Sequence, residues 1–338
     1  MQIRARAPLR ISFGGGGTDV PPYCDERGGA VLSATINRHA YATLLPGGES
    51  FAVKSLDYDA SISYNLSEDF VYDGQLDLAK GVIDHFRKSH RFESGMEILL
   101  HNDAPPGSGL GSSSAITVAL IGALAEQLHQ PMDAYQIAET AYNIERIEVG
   151  QIGGKQDQYA AAFGGFNFIE FSEGKTVVNA LRLPRDTVFE LEYRLVFAYL
   201  GGKRIFSKIL ENQVENVKTG NESALHAMDE LKRLAHEMKN ALLLGELAKF
   251  GGLLNDAWEN KKKMAEGITN QRIDETYNAA MKAGAIGGKI TGVGGGGFMF
   301  FVCDPTRRHA VQEALKSADC QLINFNFVEE GVRAWRVK

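Results

Sequence analysis

Stretches in which apolar and polar residues alternate dominate the first hundred residues of the chain. This alternation predicts strands over Gln2–Phe13, Ala30–Leu45, Ser50–Leu56, Ser61–Leu66 and Gly95–Leu100. One helix is predicted among them, over Leu76–Ser89. Apolar residues at helix spacing then predict helices over Ser112–His129, Met132–Val149 and Gln156–Ala162. Strand patterns return over Phe166–Glu170, Val177–Leu183 and Phe189–Leu200.

Helix spacing of apolar residues continues over Arg204–Ala283. This segment is predicted to be helical, with breaks near residues 219–221, 251–252 and 267–270. A helix beginning after Asp304 and Pro305 is predicted near the end, and strands are predicted over Gly288–Thr291, Phe298–Cys303 and Leu322–Val328. The change in pattern places a boundary near residues 184–187, which gives domains 1–185 and 186–338.

Composition describes a globular protein, since 44% of the 338 residues are hydrophobic and 23% are charged. A net charge of −6 gives no broad electrostatic reason to bind nucleic acid or an anionic membrane. The basic clusters Lys261–Lys263 and Arg307–Arg308 are predicted to be solvated helix faces. An odd number of cysteines, with no apolar leader or long apolar stretch, predicts a cytoplasmic location.

The segment Pro105–Ala115 (PPGSGLGSSSA) places glycines and serines directly before a helix. Backbone without Cβ atoms lets N–H groups approach a ligand closely. A helix that begins at Ser112–Ser114 would direct its unpaired N–H groups and its positive dipole end into the same loop. Such a site favours phosphate. Taken alone, the segment fits a capped helix after a flexible loop equally well.

Two further segments are crowded with glycine. Lys289–Phe298 (KITGVGGGGF) contains the letters G-x-G-x-x-G, but a strand follows where a dinucleotide site needs a helix. It fits either a tight turn or a close backbone approach to a ligand. Gly14–Gly17 interrupt a strand, and Asp19 follows them. Asp19 could accept hydrogen bonds from sugar hydroxyls, or simply cap the segment Val20–Tyr23.

A fourth segment, residues 145–158, supplies acidic chemistry. Phosphoryl transfer needs Mg²⁺ on the nucleotide phosphates and a group that orients the attacking hydroxyl. Glu145 near a helix end and Asp157 after a glycine loop fit these two roles. Taken alone, a residue like Glu145 is more often on a helix surface, and one like Asp157 is more often a helix cap. The sequence contains no H-E-x-x-H and no G-x-S-x-G, so zinc and serine-hydrolase sites lack support.

Together, the order and content of these four segments resemble the GHMP kinases, the superfamily of galactokinase, homoserine kinase, mevalonate kinase and phosphomevalonate kinase. Residues 105–115 resemble the central phosphate loop, 289–298 the C-terminal glycine motif, 7–19 the opening sugar-binding segment, and 150–158 the segment with the catalytic aspartate. The resemblance implies an α+β, two-domain GHMP kinase fold. It would have an N-terminal domain like ribosomal protein S5 domain 2 and a C-terminal ferredoxin-like β-α-β domain, with the site between them.

The resemblance also implies residue roles. Asp157 would act as general base or orient the acceptor hydroxyl, and Arg10 would stabilise charge beside it. Mg²⁺ would be held by Ser113 (or Ser112) and Glu145. The ATP phosphates would be bound by Pro106, Gly107, Ser108, Gly109, Leu110, Gly111, Ser112, Ser113 and Ser114. The acceptor would be bound by Gly14, Gly15, Gly16, Gly17, Thr18, Asp19, Lys155, Arg204, Gly294, Gly295 and Gly296.

Closer features resemble the bacterial D-glycero-D-manno-heptose 7-phosphate kinases. They are the run from Pro8 to Tyr23, Ser112–Ala115, Gly164–Asn167, and Trp258 with Lys261–Met264. The implied reaction is ATP-dependent phosphorylation of the anomeric C1 hydroxyl of the heptose 7-phosphate, which gives the 1,7-bisphosphate for nucleotide-activated heptose in bacterial surface polysaccharide. The alternatives are a fucokinase-like kinase of an unphosphorylated sugar and a non-catalytic sugar- or nucleotide-binding relative.

One departure from the family pattern lies before the aspartate, where mevalonate-like members often carry P-S-G-x-D and this chain has G-G-K-Q-D. It places Lys155 near the predicted acceptor site. Lys203 and Arg204 are further candidates for binding the phosphate that the acceptor already carries. The expected partners are ATP, a sugar phosphate and a second copy of the chain in a homodimer, with no nucleic acid or membrane.

Overall fold

The computed structural model describes residues 1–57, 59–105, 107–201 and 206–338. Its first sheet is built on a long central strand, which pairs with three others. The strands of this region are β1 (Gln2–Gly14), β2 (Gly29–Pro46), β3 (Ser50–Ser55), β4 (Ala60–Asn65), β5 (Met96–Asn102), β6 (Phe166–Ser172) and β7 (Lys175–Ala180). β2 pairs antiparallel with β1, β5 and β6. β3 pairs parallel with β5 and antiparallel with β4, and β7 pairs with β6.

Five α-helices accompany this sheet: α1 (Tyr23–Arg27), α2 (Asp77–Ser89), α3 (Ser112–Gln127), α4 (Ala134–Asn143) and α5 (Gln156–Phe163). The helix predicted over Met132–Val149 changes type after α4, because residues Ile144–Glu148 form a π-helical turn. Such turns are rare in proteins, and those that do occur often lie at functional sites. Glu145 lies in this turn.

The second sheet follows the predicted boundary. After α6 (Arg185–Arg194) come β8 (Leu195–Tyr199), α7 (Phe206–Lys218), α8 (Glu222–Leu243), α9 (Leu247–Lys261), α10 (Gln271–Ala283), β9 (Ala285–Ile290), β10 (Phe298–Cys303), α11 (Arg308–Ser317) and β11 (Gln321–Leu322). The strand order β11-β8-β10-β9 is antiparallel throughout. This order, with helices between the strands, is the ferredoxin-like β-α-β-β-α-β arrangement.

The last strand, β12 (Arg333–Val337), returns to the first sheet and pairs antiparallel with β1. Sequence patterns did not predict it. The predicted strand Leu322–Val328 is wrong over most of its length, since only β11 and an isolated bridge between Ile36 and Phe327 form there.

Two further predictions are wrong for identifiable reasons. Phe189–Leu200 was expected to be one strand, but its first half lies in α6, where Phe189 and Tyr193 are exposed and Leu191 is buried. The expected break at residues 251–252 lies inside α9. A Cβ on Gly251 would approach a Cγ of Ile286 to 2.8 Å, so this glycine allows close helix–sheet packing rather than ending the helix.

Phe13 joins the cores of the two sheets. Its fully buried ring lies 5.4 Å from that of Phe250 on α9, 5.6 Å from that of Phe300 on β10 and 6.4 Å from that of Phe166 on β6, centroid to centroid. The glycine run that begins at Gly14 therefore starts at the junction of the two halves.

The three cysteines are free and buried. None of the helices within the described ranges is both long enough and apolar enough to cross a bilayer.

Candidate active site

A cleft of about 580 Å³ lies between the two halves of the molecule. Its walls come from the end of β1 and the turn after it, the loop before α3, and the segment from Gly150 to Asp157. Residues of α7 and α9 and of the β9–β10 loop complete it. Elements far apart in sequence thus meet at one concave surface, as most small-molecule sites require.

The loop before α3 presents backbone donors to this cleft. Gly107, Gly109 and Gly111 all have φ between 72° and 81°, a region that glycine enters without strain. The first helical backbone bond joins the N–H of Ala115 to the carbonyl of Gly111, so the N–H groups of Ser112–Ser114 are free of the α-helical pattern. The start of α3 has the polarity and geometry of an anion-binding site.

Asp157 and Arg10 meet beside that helix start. Arg10 donates from Nε to Oδ1 of Asp157 at 2.7 Å, and its Nη2 lies 2.6 Å from the same oxygen. Its Nη1 donates to the carbonyl of Gly109 at 2.7 Å. A Cβ on Gly111 would lie 3.2 Å from Cγ of Asp157. The guanidinium therefore ties the carboxylate to the loop, and the carboxylate keeps 23% of its side chain exposed to the cleft.

The second sheet closes against this loop through Ser108. The carbonyl of Ser108 accepts hydrogen bonds from Oγ1 of Thr291 and from the N–H of Phe298, both at 3.3 Å. Gly292 has φ +66°, and a Cβ there would lie 2.9 Å from Cα of Gly109. Close contact of the two glycine loops brings Gly292 and Val293 into the cleft wall.

The turn after β1 is held by Asp19. One carboxylate oxygen accepts from the N–H of Gly17 (2.9 Å) and from Nε2 of Gln156 (3.0 Å), and the other accepts from the N–H of Gln156 (3.1 Å). These bonds join the turn to the start of α5. A Cβ on Gly15 would lie 1.7 Å from the carbonyl oxygen of Ala30, so only glycine fits there. Asp19 is 1% exposed, and its oxygens have protein partners.

Glu145 is fully buried and faces α3. Its Oε2 accepts from Oγ of Ser114 (2.9 Å) and Nε2 of Gln158 (2.7 Å) and lies 3.1 Å from Nη2 of Arg146. Its Oε1 is buried without a hydrogen-bond partner among the described residues. Carboxylate and hydroxyl oxygens are the ligands that Mg²⁺ prefers. The donor set and the unpartnered oxygen fit a magnesium ion, with Ser114 rather than Ser113 in contact with the carboxylate.

Lys155 does not line the cleft. Its ammonium lies 2.8 Å from Oδ1 of Asp25 and 5.5 Å from the ring centroid of Tyr142. Burial lowers the pKa of Lys155, but the hydrogen bond to Asp25 and the charges of Asp25, Cys24 and Tyr142 together outweigh it, and the net shift is upward. Lys155 therefore forms an ion pair with Asp25 on α1 and does not lie at the predicted acceptor site.

Two buried lysines near the cleft were not recognised from the sequence as site residues. Lys261 is 2% exposed, lines the cleft and donates from Nζ to the carbonyl of Gly16 at 3.3 Å, which corrects its prediction as part of a solvated face. Lys289 is equally buried, and its Nζ donates to the carbonyl of Ser12 at 2.8 Å. The available signal was spacing, since Lys261 lies three and seven positions after Trp258 and Leu254 on the apolar side of α9.

Burial lowers the pKa of Lys261 to about 8 and that of Lys289 well below the usual lysine range. For Lys261 the charge of Asp19 opposes this shift and that of Arg10 adds to it. The charges of Lys261 and Arg10 further lower the pKa of Lys289. Burial and the neighbouring positive charges therefore disfavour the charged form of both lysines.

Replacing Lys261 by Met should stabilise the ligand-free protein. Between pH 8 and the usual lysine pKa of 10.5, the folded state binds fewer protons than the unfolded chain, so the cost of the buried charge is full below pH 8 and fades above it. We expect the free energy of unfolding to rise by about 3 kcal/mol at pH 7 and the gain to shrink as the pH approaches 10. Urea unfolding at both pH values measures this, with the exposed Lys263→Met as control. Equal stability of wild type and variant at pH 7 would contradict it.

The predicted site residues that the structure describes divide into two groups. Those that line the cleft are Arg10, Gly16, Gly17, Asp19, Gly107, Gly109, Gly111, Ser112, Ser113 and Asp157. Those in the described part of the chain that lie behind or beside its surface are Gly14, Gly15, Thr18, Ser108, Leu110, Ser114, Glu145, Lys155, Gly294, Gly295 and Gly296. Pro106 and Arg204, like Lys203, lie outside the described residues.

The chain resembles known proteins over nearly its whole length. Residues 77–165 match the GHMP kinases N terminal domain, and residues 223–320 match the GHMP kinases C terminal domain. The chain is 39% identical to the D-glycero-alpha-D-manno-heptose 7-phosphate kinase of Campylobacter jejuni, over 99% of each chain. It is 27% identical to the L-fucokinase/L-fucose-1-P guanylyltransferase of Bacteroides fragilis, over 93% of this chain and 36% of that protein.

Among solved structures, a D-glycero-D-manno-heptose 1-phosphate kinase from Bacteroides thetaiotaomicron superposes with a TM-score of 0.84, at 36% identity and 99% coverage of both chains. Both halves of the molecule, the loop before α3 and the full-length likeness lead to one conclusion. The chain belongs to the GHMP kinases and is a phosphotransferase with an alcohol group as acceptor.

Proposed function

We propose that this protein is an ATP-dependent kinase of a heptose phosphate, which phosphorylates the anomeric C1 hydroxyl of D-glycero-D-manno-heptose 7-phosphate and yields the 1,7-bisphosphate and ADP. The product would serve the synthesis of nucleotide-activated heptose for bacterial surface polysaccharide. The observation that carries the chemistry is the contact of Asp157 with Arg10 and Gly111 at the start of α3. A cytoplasmic location and a homodimer belong to the same proposal.

Asp157 is the group proposed to act on the acceptor. Its carboxylate accepts the proton of the attacking hydroxyl as the new P–O bond forms and the bond from the γ-phosphorus to the β–γ bridging oxygen breaks. Because the transition state of phosphoryl transfer is loose, positioning and charge stabilisation supply most of the rate. Arg10 fixes the carboxylate against Gly109 and contributes positive charge beside the transferred group.

The start of α3 is proposed to bind the triphosphate through the N–H groups of Ser112–Ser114. Glu145, with the serine hydroxyls next to it, would hold Mg²⁺. When bound there, the ion would neutralise charge on the phosphates. Oε1 of Glu145 has no hydrogen bond to lose on binding the ion, because it is unpartnered among the described residues.

The relatives support a heptose phosphate as acceptor, but their names place its phosphate differently. One is named a 7-phosphate kinase and the other a 1-phosphate kinase. The test is to incubate the purified protein with heptose 7-phosphate and Mg·ATP and to locate the new phosphate by NMR. We expect a phosphate on C1. ADP release with a new phosphate elsewhere would overturn the proposed position, and no turnover would overturn the proposed substrate.

A kinase of an unphosphorylated sugar is the second candidate, favoured by the likeness to a fucokinase over 93% of the chain. A panel of sugars and sugar phosphates, followed by ADP release, distinguishes the two. Tight binding of sugar or ATP without turnover on any member would indicate a non-catalytic relative instead.

Replacing Glu145 by Gln should weaken the response to magnesium. The change keeps the size of the side chain but removes its charge, so we expect the Mg²⁺ concentration for half-maximal activity to rise by about tenfold or more. A Mg²⁺ titration at fixed ATP measures this. Glu148→Gln is the control, since Glu148 pairs with Lys88 and His85 outside the cleft. The same half-saturating Mg²⁺ in Glu145→Gln and wild type would remove Glu145 from the metal site.

A further inference from the structure

Three buried polar side chains converge on the corner formed by Gly16 and Gly17. Oγ of Ser12 lies 3.2 Å from where a Cβ on Gly16 would be, and Nζ of Lys261 donates to the Gly16 carbonyl at 3.3 Å. Oε1 of Gln213 lies 3.8 Å from the corresponding position on Gly17. Ser12, Gln213 and Lys261 each line the cleft and are no more than 3% exposed. We call this group the Gly16 corner.

The Gly16 corner holds donors without acceptors. Within the described ranges, Oγ of Ser12 and Nε2 of Gln213 are buried and have no hydrogen-bond partner. An ammonium group has three donors, and the one described bond of Lys261 is to the Gly16 carbonyl. Buried donors of this kind are costly unless a ligand or water satisfies them.

The charges that line the cleft indicate which kind of ligand would satisfy these buried donors. Of the cations that line the described part of the cleft, Arg10 pairs with Asp157 and Arg146 pairs with Glu145, whereas Lys261 has no carboxylate within 4.0 Å. Asp19 is the acidic neighbour that acts on Lys261, and its oxygens already have other partners. A buried ammonium without a paired anion favours an anionic ligand.

We propose that the Gly16 corner binds the phosphate that the acceptor sugar already carries, with Lys261 as the specificity-determining residue. The inference rests on the proposed sugar-phosphate kinase activity. It adds that the Gly16 corner recognises the phosphate already present on the acceptor. The corner is built from the end of β1, the turn after it, α7 and α9, so it is distinct from the predicted triphosphate site at the start of α3. Lys155, predicted for this role, is engaged by Asp25.

The kinetic test compares Lys261→Met with Lys263→Met, a neighbouring lysine that is exposed. A charge-assisted hydrogen bond to phosphate corresponds to about 10- to 100-fold in affinity. For Lys261→Met we expect kcat/KM to fall by about 30-fold or more with heptose 7-phosphate, by less than about threefold with heptose, and the KM for ATP to be unchanged. Equal losses with both acceptors, or none with either, would overturn the proposal.

A second variant keeps the test independent of any defect in Lys261→Met. Gln213→Glu has the same shape but brings a carboxylate into the corner, which would repel a phosphate. We therefore expect kcat/KM to fall more with heptose 7-phosphate than with heptose, as for Lys261→Met. A larger loss with heptose than with heptose 7-phosphate would contradict the proposal.

A binding measurement separates failure of this inference from failure of the proposed function. Inorganic phosphate is titrated calorimetrically into the protein saturated with Mg·ADP, which covers the start of α3. Wild type and Lys263→Met should bind it alike, and Lys261→Met about tenfold or more weakly. If wild type phosphorylates neither heptose compound, the substrate proposal fails while this titration still decides the subsite. No phosphate binding by wild type, or equal binding by Lys261→Met, would overturn the subsite.

Discussion

Replacing Asp157 by Asn is expected to lower kcat by about 100-fold or more while ATP binding persists. The amide keeps the size of the side chain but cannot accept the acceptor's proton as a carboxylate does. The loop before α3 keeps its other contacts, including the closure of Ser108 against Thr291 and Phe298. Steady-state kinetics with the acceptor and calorimetric titration of Mg·ATP measure the two effects separately.

The control for this variant is Asp186→Asn. Asp157 and Asp186 both lie in the first turn of a helix, so both substitutions remove a favourable interaction with the helix dipole. Asp186 is exposed and lies outside the cleft. Turnover near the wild-type rate in Asp157→Asn would exclude this carboxylate from the mechanism. A parallel loss of ATP affinity would indicate a role in holding the loop instead.

The second large effect is expected at Arg10. Arg10→Met removes the bonds to Asp157 and to the Gly109 carbonyl and should lower kcat by about 100- to 1,000-fold. Arg10→Lys should restore only part of the rate, because an ammonium supplies charge but cannot span the two partners as the planar guanidinium does. Single-turnover rates at saturating ATP and acceptor measure the series.

Arg6→Met is the matched control, since Arg6 lies on the same strand and pairs with Glu330 at the surface. Thermal unfolding of each variant tests whether a lower rate reflects lost structure. If Arg10→Lys is as impaired as Arg10→Met, the shape of the guanidinium, and not its positive charge, accounts for the effect of Arg10 on kcat. If Arg10→Lys is fully active, the contact with Gly109 has no catalytic consequence.

Most regular elements follow from the sequence where pattern and packing agree. β10 (FMFFVC) is apolar throughout and is buried at every position, so its strand was predicted with its observed bounds. α6 was missed because Phe189, Leu191 and Tyr193 alternate like a strand, although only Leu191 is buried. β12 was missed because its partner β1 lies more than three hundred residues away, and no local pattern reports such a pairing.

The glycine-rich segments were predictable as a group because each needs backbone conformations or close approaches that a side chain would prevent. The contacts of the individual polar residues were harder to predict from the sequence. Glu145 and Asp157 were predicted as site residues from their place in the chain, whereas the contact of Ser114 with Glu145, which lies in the π-helical turn, was not predicted. Lys261 was misjudged because two more lysines follow it, the half-buried Lys262 and the exposed Lys263, and a run of like charges indicates a solvated face.

The pairing of β12 with β1 means that the two halves of this kinase are not separable at residue 185. A fragment that ends there would carry β1 as an open outer edge, because the backbone groups of Gln2–Arg6 that face away from β2 would be unpaired. Exposed edges of this kind template association with other chains. The first sheet therefore gains its outer strand, and with it a protected edge, only once residues 333–337 have been synthesised.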